Sequence, residues 1–161
     1  MRYSRPLKLE LKPTNLRQVI DNSLNIIEHQ AEEQSVKISL IEHENAANIL
    51  ADSEVLRSVF NNLFINAIQA MPTGGSLNVV MSPDQNFVKI EVSDTGDGIK
   101  EENLPKIFEP YFSTKETGTG LGLAIVKRII DEHSGTIEVE SKKGEGTRFV
   151  VKLQNAEAHT E

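Results

Sequence analysis

The feature that most restricts the fold is the alternation of apolar and polar residues in the extended segments. Val36, Ile38 and Leu40 share one face of such a segment. So do Leu77, Val79 and Met81, then Val88, Ile90 and Val92, and near the end Ile137 and Val139, followed by Thr147, Phe149, Val151 and Leu153. Successive side chains of a strand point to opposite faces, so each segment offers one apolar face and one polar face. A sheet made of them carries helices on one side and meets water on the other, which predicts a two-layer α/β sandwich. The covering helices are legible at helical spacing. Thr14, after Pro13, reads as an N-cap for a helix over about residues 14 to 34 carrying Leu16, Val19, Ile20, Ile27 and Ala31. Asp52 reads as a second N-cap, opening a run through Ala70 with Val55, Leu56, Val59, Phe60, Leu63, Phe64 and Ala67 on its apolar face, stopped by Pro72-Thr-Gly-Gly75. A third helix fits 119 to 133, and the strands around Val79 and Ile90 form a hairpin.

At 161 residues the chain has the length of one ordinary domain, taken as residues 1–154 with a polar, frayed tail at 155–161. Its 17 Lys and Arg against 24 Asp and Glu leave a net charge of −7, which argues against a nucleic-acid or anionic-membrane surface as its main business. The lack of Cys excludes disulfides, thiolate zinc sites and a Cys nucleophile, and fits a reducing cytoplasm. No apolar run approaches the roughly 18 residues of a membrane span, and Met-Arg-Tyr-Ser-Arg-Pro lacks the apolar core of a signal peptide, so the chain as given is expected to be soluble. From Ile99 to Gly118 the periodicity is weak and glycines border the segment, the profile of a long functional loop and a candidate lid.

Three groups of residues point to chemistry. Seven of the 10 glycines fall in three clusters: Gly96 and Gly98; Gly118, Gly120 and Gly122; Gly144 and Gly146. The middle cluster, Thr117-Gly-Thr-Gly-Leu-Gly-Leu123, opens a helix whose free amides could hold phosphates, although it matches neither the dinucleotide fingerprint nor the P-loop. Asp94 ends the inward stripe of Val88, Ile90 and Val92, and Thr147 lies on the inward stripe with Phe149. Buried polar groups need partners, so the two imply a polar ligand between sheet and helices, against the plainer reading of Asp94 as the start of an Asx-turn with Gly96. Asn62 and Asn66, four apart, stack on one helical face, where a neutral amide oxygen can ligate Mg²⁺ beside a triphosphate without adding negative charge.

Together these residues resemble a known family. Asn62 and Asn66 within LRSVFNNLFINAIQA, Asp94, Gly96 and Gly98 within DTGDGI, Phe108 and Phe112 within IFEPYFSTK, then TGTGLGL and GEGTRF resemble, in order, the N, G1, F, G2 and G3 boxes of sensor histidine kinases. The resemblance covers about residues 7 to 153 and is greatest to the nitrogen-regulatory branch. It implies the Bergerat ATP-binding fold, a mixed sheet with helices on one face, shared with type II topoisomerases, heat-shock chaperones and mismatch-repair ATPases. It implies Mg²⁺ and ATP as cofactors, with Asp94 accepting the adenine amino group, Thr147 helping through water, and Asn66 and Asn62 holding the metal. Gly118, Gly120 and Gly122 would let backbone amides reach the phosphates, with Thr117, Thr119, Leu121, Leu123 and Ile99 alongside, while Phe108 and Phe112 anchor the lid. Some kinases of the family place a basic residue three positions after the second Asn; here it is Gln69, and Lys115 in the candidate lid is the substitute cation for the terminal phosphate.

The implied reaction is transfer of the γ-phosphate to a His on a separate helical hairpin, in a parent homodimer that serves a response regulator; the domain alone is expected to be monomeric. Of four histidines, His43 lacks the following Pro of the acceptor box and sits in a loop between strands, while His29, His133 and His159 read as surface residues, His133 near a helix C-terminus. The competing functions are a Ser/Thr protein kinase of the anti-sigma type, an ATPase of the topoisomerase or chaperone type, and an ATP-gated interaction module. In the first two, Glu stands four positions before the metal Asn as a general base. Here that position is Asn62, an amide that cannot take a proton.

Overall fold

The structure, a computed structural model, describes residues 8–44, 46–112 and 122–157. In chain order it contains β1 (Lys12–Asn15), α1 (Leu16–Glu33), β2 (Val36–Glu42), β3 (Asn48–Ala51), α2 (Ser53–Gln69), β4 (Gly75–Asp84), β5 (Phe87–Asp94), a 3-10 helix (Glu101–Lys106), α3 (Gly122–Glu132), β6 (Thr136–Lys142) and β7 (Gly146–Gln154). Five strands form a mixed sheet in the order β2-β4-β5-β7-β6, with β2 parallel to β4 and the remaining pairs antiparallel. The helices pack on one face of it. The alternation explains why: Leu77, Val79, Met81, Val88, Ile90, Val92, Val151 and Leu153 are all buried, and they meet Leu16 and Ile20 of α1, Leu56, Phe60, Leu63 and Phe64 of α2, and Val126 and Ile130 of α3 in one core. On the opposite, solvent-facing side Arg148 of β7 bridges Glu91 of β5 and Glu140 of β6, and the Glu91 bond above all raises the guanidinium pKa.

Both helix starts are built by short polar side chains. Asp52 caps α2 as expected, its Oδ1 accepting the Val55 N–H at 3.3 Å. The cap of α1 is Asn15 and not Thr14: Asn15 Oδ1 accepts the Gln18 N–H at 3.1 Å. Thr14 is occupied elsewhere, in a strand paired with Ile49, its hydroxyl donating to the Lys12 or Ala51 carbonyl. This small β1–β3 ribbon was not foreseen, because strands of 4 residues are too short to display a period.

Two further expectations are corrected. The first residues of the expected frayed tail are tied down: Asn155 bridges Ile49, and Ala156 donates its N–H to Asn48 at 3.2 Å and is buried. His133 is not a surface residue. It is 0% exposed, its Nδ1 lies 2.8 Å from the Ile129 carbonyl and its Nε2 accepts the Asp52 N–H at 3.1 Å, so it joins the C-terminal end of α3 to the cap of α2. The carbonyl can only accept and the amide only donate, which fixes the neutral tautomer with the proton on Nδ1.

Candidate functional site

Helix α2 presents Asn62 and Asn66 one turn apart, both half-buried. Asn62 Nδ2 donates to the Ser58 carbonyl at 2.7 Å, and this bond turns its oxygen away from its own helix toward α3. A Cβ added to Gly122 would sit only 2.7 Å from Asn62 Oδ1, so glycine is what allows the first residue of α3 to come this close to the amide. Leu123, next along, packs half-buried against the core.

The second group is set by sheet register. Asp94, the last residue of β5, is the direct cross-strand partner of Thr147 in β7, and parity places both on the helix side. Thr147 is buried and Asp94 half-buried. The Asx-turn exists: Asp94 Oδ1 accepts the Gly96 N–H at 2.8 Å. Thr147 has a protein partner as well, Ser141 Oγ at 2.8 Å, so the expectation that these two polar groups need a ligand for a partner is not required by the structure.

The turn after Asp94 is clamped from both sides. Asp97 donates its N–H to the carbonyl of Ala70, the C-cap of α2, at 3.1 Å, and a Cβ on Gly96 would lie 2.5 Å from that same oxygen. From the other side the Gly144 N–H donates to the Asp97 carbonyl at 2.6 Å, and Gly98, at φ 72°, packs directly under the Lys142 carbonyl. Ile99 then donates its N–H to Ser141 Oγ at 2.7 Å. Ser141 was missed by sequence reasoning: parity with Ile137 and Val139 puts it on the inward stripe, but its role depends on the register between β6 and β7.

Beyond the 3-10 helix the chain returns to the core. Ile107 is buried, and Phe108 packs edge-on against Phe149 with ring centroids 6.4 Å apart. Phe112 is also partly buried against the core. Lys115, Thr117, Gly118, Thr119, Gly120 and Leu121 lie outside the described residues, as do the first residues of the helix expected from 119. Lys127 on α3 is ion-paired with Asp131 at 2.7 Å.

The described residues hold no group of three or more His, Asp or Glu placed to bind a metal. A divalent ion here would be held by amide oxygens and by the oxygens of a bound ligand. The described residues therefore offer a carboxylate with a neighbouring hydroxyl on the sheet, two amides on α2, and glycines packed tightly against neighbouring backbone or side chains. Such groups can take the hydrogen-bond donors of a polar ligand, and amide oxygens can ligate a hard cation.

Residues 51–157 match the family described as histidine kinase-, DNA gyrase B- and HSP90-like ATPases. Among curated relatives, the sensor histidine kinase ZraS of Escherichia coli (strain K12) is 39% identical over 149 residues, 92% of this chain but 32% of the relative. The chain thus spans about a third of that protein. Among solved structures, the catalytic domain of histidine kinase ThkA is 30% identical, with a TM-score of 0.82 and coverage of 93% of this chain and 99% of that one. Full-length ShkA in complex with AMPPNP is 27% identical with a TM-score of 0.85, covering 94% of this chain and 33% of that one. The one-sided mixed sheet and the family match agree: the chain belongs to the histidine kinase-, DNA gyrase B- and HSP90-like ATPase family.

Proposed function

We propose that this domain binds Mg²⁺-ATP between sheet and helices and donates the γ-phosphate to a histidine on a separate helical hairpin of its parent protein, from which a response regulator is served. The observation that carries the reading is the Asp94–Thr147 pair, brought together by register on the inward edge of the sheet beside a clamped glycine turn. Asp94 accepts the adenine amino group, and a charge-assisted bond of that kind favours adenine over guanine, whose carbonyl at the same position faces a carboxylate. Asn66 and Asn62 hold Mg²⁺, which when bound neutralises phosphate charge. Phe108 and Phe112 anchor the segment that follows, and Lys115 supplies the cation for the terminal phosphate. Work on the cytoplasmic side, where ATP is supplied, and in a homodimeric parent completes this reading; no described helix is long and apolar enough to cross a membrane.

Asn62 separates this reading from a Ser/Thr kinase or an ATPase. An amide whose nitrogen already donates to Ser58 cannot serve as a base for a hydroxyl or water, so the base arrives with the substrate histidine. Calorimetric titration with ATP and GTP in Mg²⁺ tests the nucleotide site. Asp94→Asn weakens ATP and ADP alike, by about 1.5–3 kcal/mol or roughly ten- to over a hundredfold. Equal affinity of the wild-type domain for GTP and ATP removes the assignment.

A further inference from the structure

We propose that Ser141 is a specificity-determining residue for the bound base, acting by fixing Thr147 as a hydrogen-bond acceptor. The inference rests on the nucleotide site proposed above and follows from counting protons. Ser141 Oγ has three partners: it accepts the Ile99 N–H at 2.7 Å, lies 2.9 Å from the Gly146 carbonyl, and lies 2.8 Å from Thr147 Oγ1. A Ser hydroxyl has one proton and two acceptor sites. The Ile99 amide uses one acceptor site. The Gly146 carbonyl has no proton to give, so that contact is a bond only if Ser141 donates to it. The remaining contact then has one solution: Thr147 donates to Ser141. In the opposite arrangement Ser141 spends its proton on Thr147, and two oxygen lone pairs face each other across 2.9 Å at Gly146.

With its proton committed to Ser141, Thr147 shows only lone pairs to the space it shares with Asp94, its direct neighbour across the strands. A carboxylate and a hydroxyl locked as an acceptor together read a donor edge. A 6-amino purine satisfies both, directly or through a water, whereas a 6-oxo purine in the same pose brings its carbonyl against two acceptors and has only its displaced N1–H to offer in return, and Thr147 cannot rotate to relieve the conflict without breaking the Ser141 bond. Ser141 also ties Ile99, and through it the turn after Asp94, to the same hydroxyl, so the turn's position and the polarity of Thr147 are set by one atom.

The test is the ratio of affinities for ATP and inosine 5′-triphosphate, measured by calorimetry on the whole domain in Mg²⁺. Ser141→Ala releases the Thr147 proton, and the ratio is expected to fall about five- to tenfold, the size of one neutral hydrogen bond. Ser141→Thr keeps the hydroxyl and the wild-type ratio. In a Thr147→Val background, adding Ser141→Ala leaves the ratio unmoved. Should Ser141→Ala not fold, Ser141→Cys, close in shape and a weak acceptor, carries the same comparison. A Ser141→Ala or Ser141→Cys domain that binds both nucleotides more weakly by the same factor overturns the proposal and leaves Ser141 with a packing role. A wild-type domain with no preference for ATP over inosine triphosphate overturns the underlying nucleotide reading itself.

Discussion

Gly144, in the turn between β6 and β7, and Gly146, the first residue of β7, allow the packing around Asp94 to be separated from simple backbone strain. Gly144 and Gly146 both have positive φ, 88° and 113°, where a side chain is unfavourable. A Cβ on Gly144 would meet nothing within 4 Å, whereas one on Gly146 would lie well inside 3.0 Å of the Asp94 carbonyl oxygen. Gly144→Ala therefore carries only the backbone cost, about 1–2 kcal/mol, partly offset by about 0.4–1 kcal/mol from the stiffer unfolded chain. Gly146→Ala carries a cost of about 1–3 kcal/mol for its φ and a further 1–3 kcal/mol or so for the clash, which is relieved only if β7 moves away from β5 at the Asp94–Thr147 pair. At about 2–4 °C per kcal/mol for a domain of this size, the first substitution lowers Tm by a few degrees and the second by about 5–20 °C. Because the second variant opens the candidate site, its affinity for ATP falls further than that of Gly144→Ala. Thermal unfolding and calorimetry on both variants are the assays. Equal losses of Tm in the two, or a Gly146→Ala domain with undiminished nucleotide affinity, would refute the claim that this close approach builds the site.

Other consequences are equally open to measurement. His133→Ala removes a fully buried side chain and leaves the Asp52 N–H without its imidazole partner, so urea unfolding should show a loss of about 3–5 kcal/mol; a loss under about 1 kcal/mol contradicts the joint between α3 and α2. Asp52→Ala loses about 1 kcal/mol of cap energy. The Asp52 carboxyl is held below its ordinary value of 3.8, chiefly by the Glu10 N–H with burial acting in the opposite direction. A depressed carboxylate stabilises the fold above its unfolded pKa and stops doing so as pH falls through the folded one, so the Asp52 contribution is present at neutral pH and disappears below about pH 4. Asp52→Asn, which keeps a capping oxygen, should flatten that acid limb of the stability curve. Lys115→Ala is expected to weaken ATP more than ADP; equal losses, or none, remove Lys115 as the cation for the terminal phosphate.

Alternation made the main sheet legible, because one buried face leaves its mark on every second residue of β2, β4, β5, β6 and β7. The same parity placed Asp94 and Thr147 on the helix side. It could not say that they are direct neighbours, since register depends on how β5 and β7 pair. Asn62 and Asn66 are visible in the sequence as a polar pair four apart beside apolar neighbours, yet the approach of Gly122 to Asn62 is a tertiary fact. The failures have the same physical origin. Thr14 and Asn15 are both good capping residues, and only the pairing of β1 with β3 decides between them. His133 is polar and follows a helix, so its sequence neighbourhood resembles a surface, while its burial depends on two backbone partners that satisfy both ring nitrogens. Ser141 acquires meaning only when Ile99, Gly146 and Thr147 converge on its hydroxyl.

On the reading proposed above, the domain holds ATP for an external histidine and supplies no base of its own. The direct measurement mixes the domain with γ-labelled ATP, Mg²⁺ and a separately prepared dimeric hairpin from its own parent, and follows the label. The domain alone is expected to bind ATP but neither label itself nor release phosphate appreciably, and the hairpin to acquire label on one His as an acid-labile, alkali-stable phosphoramidate. Rapid hydrolysis by the domain alone, or acid-stable phosphate on Ser or Thr, would contradict that reading.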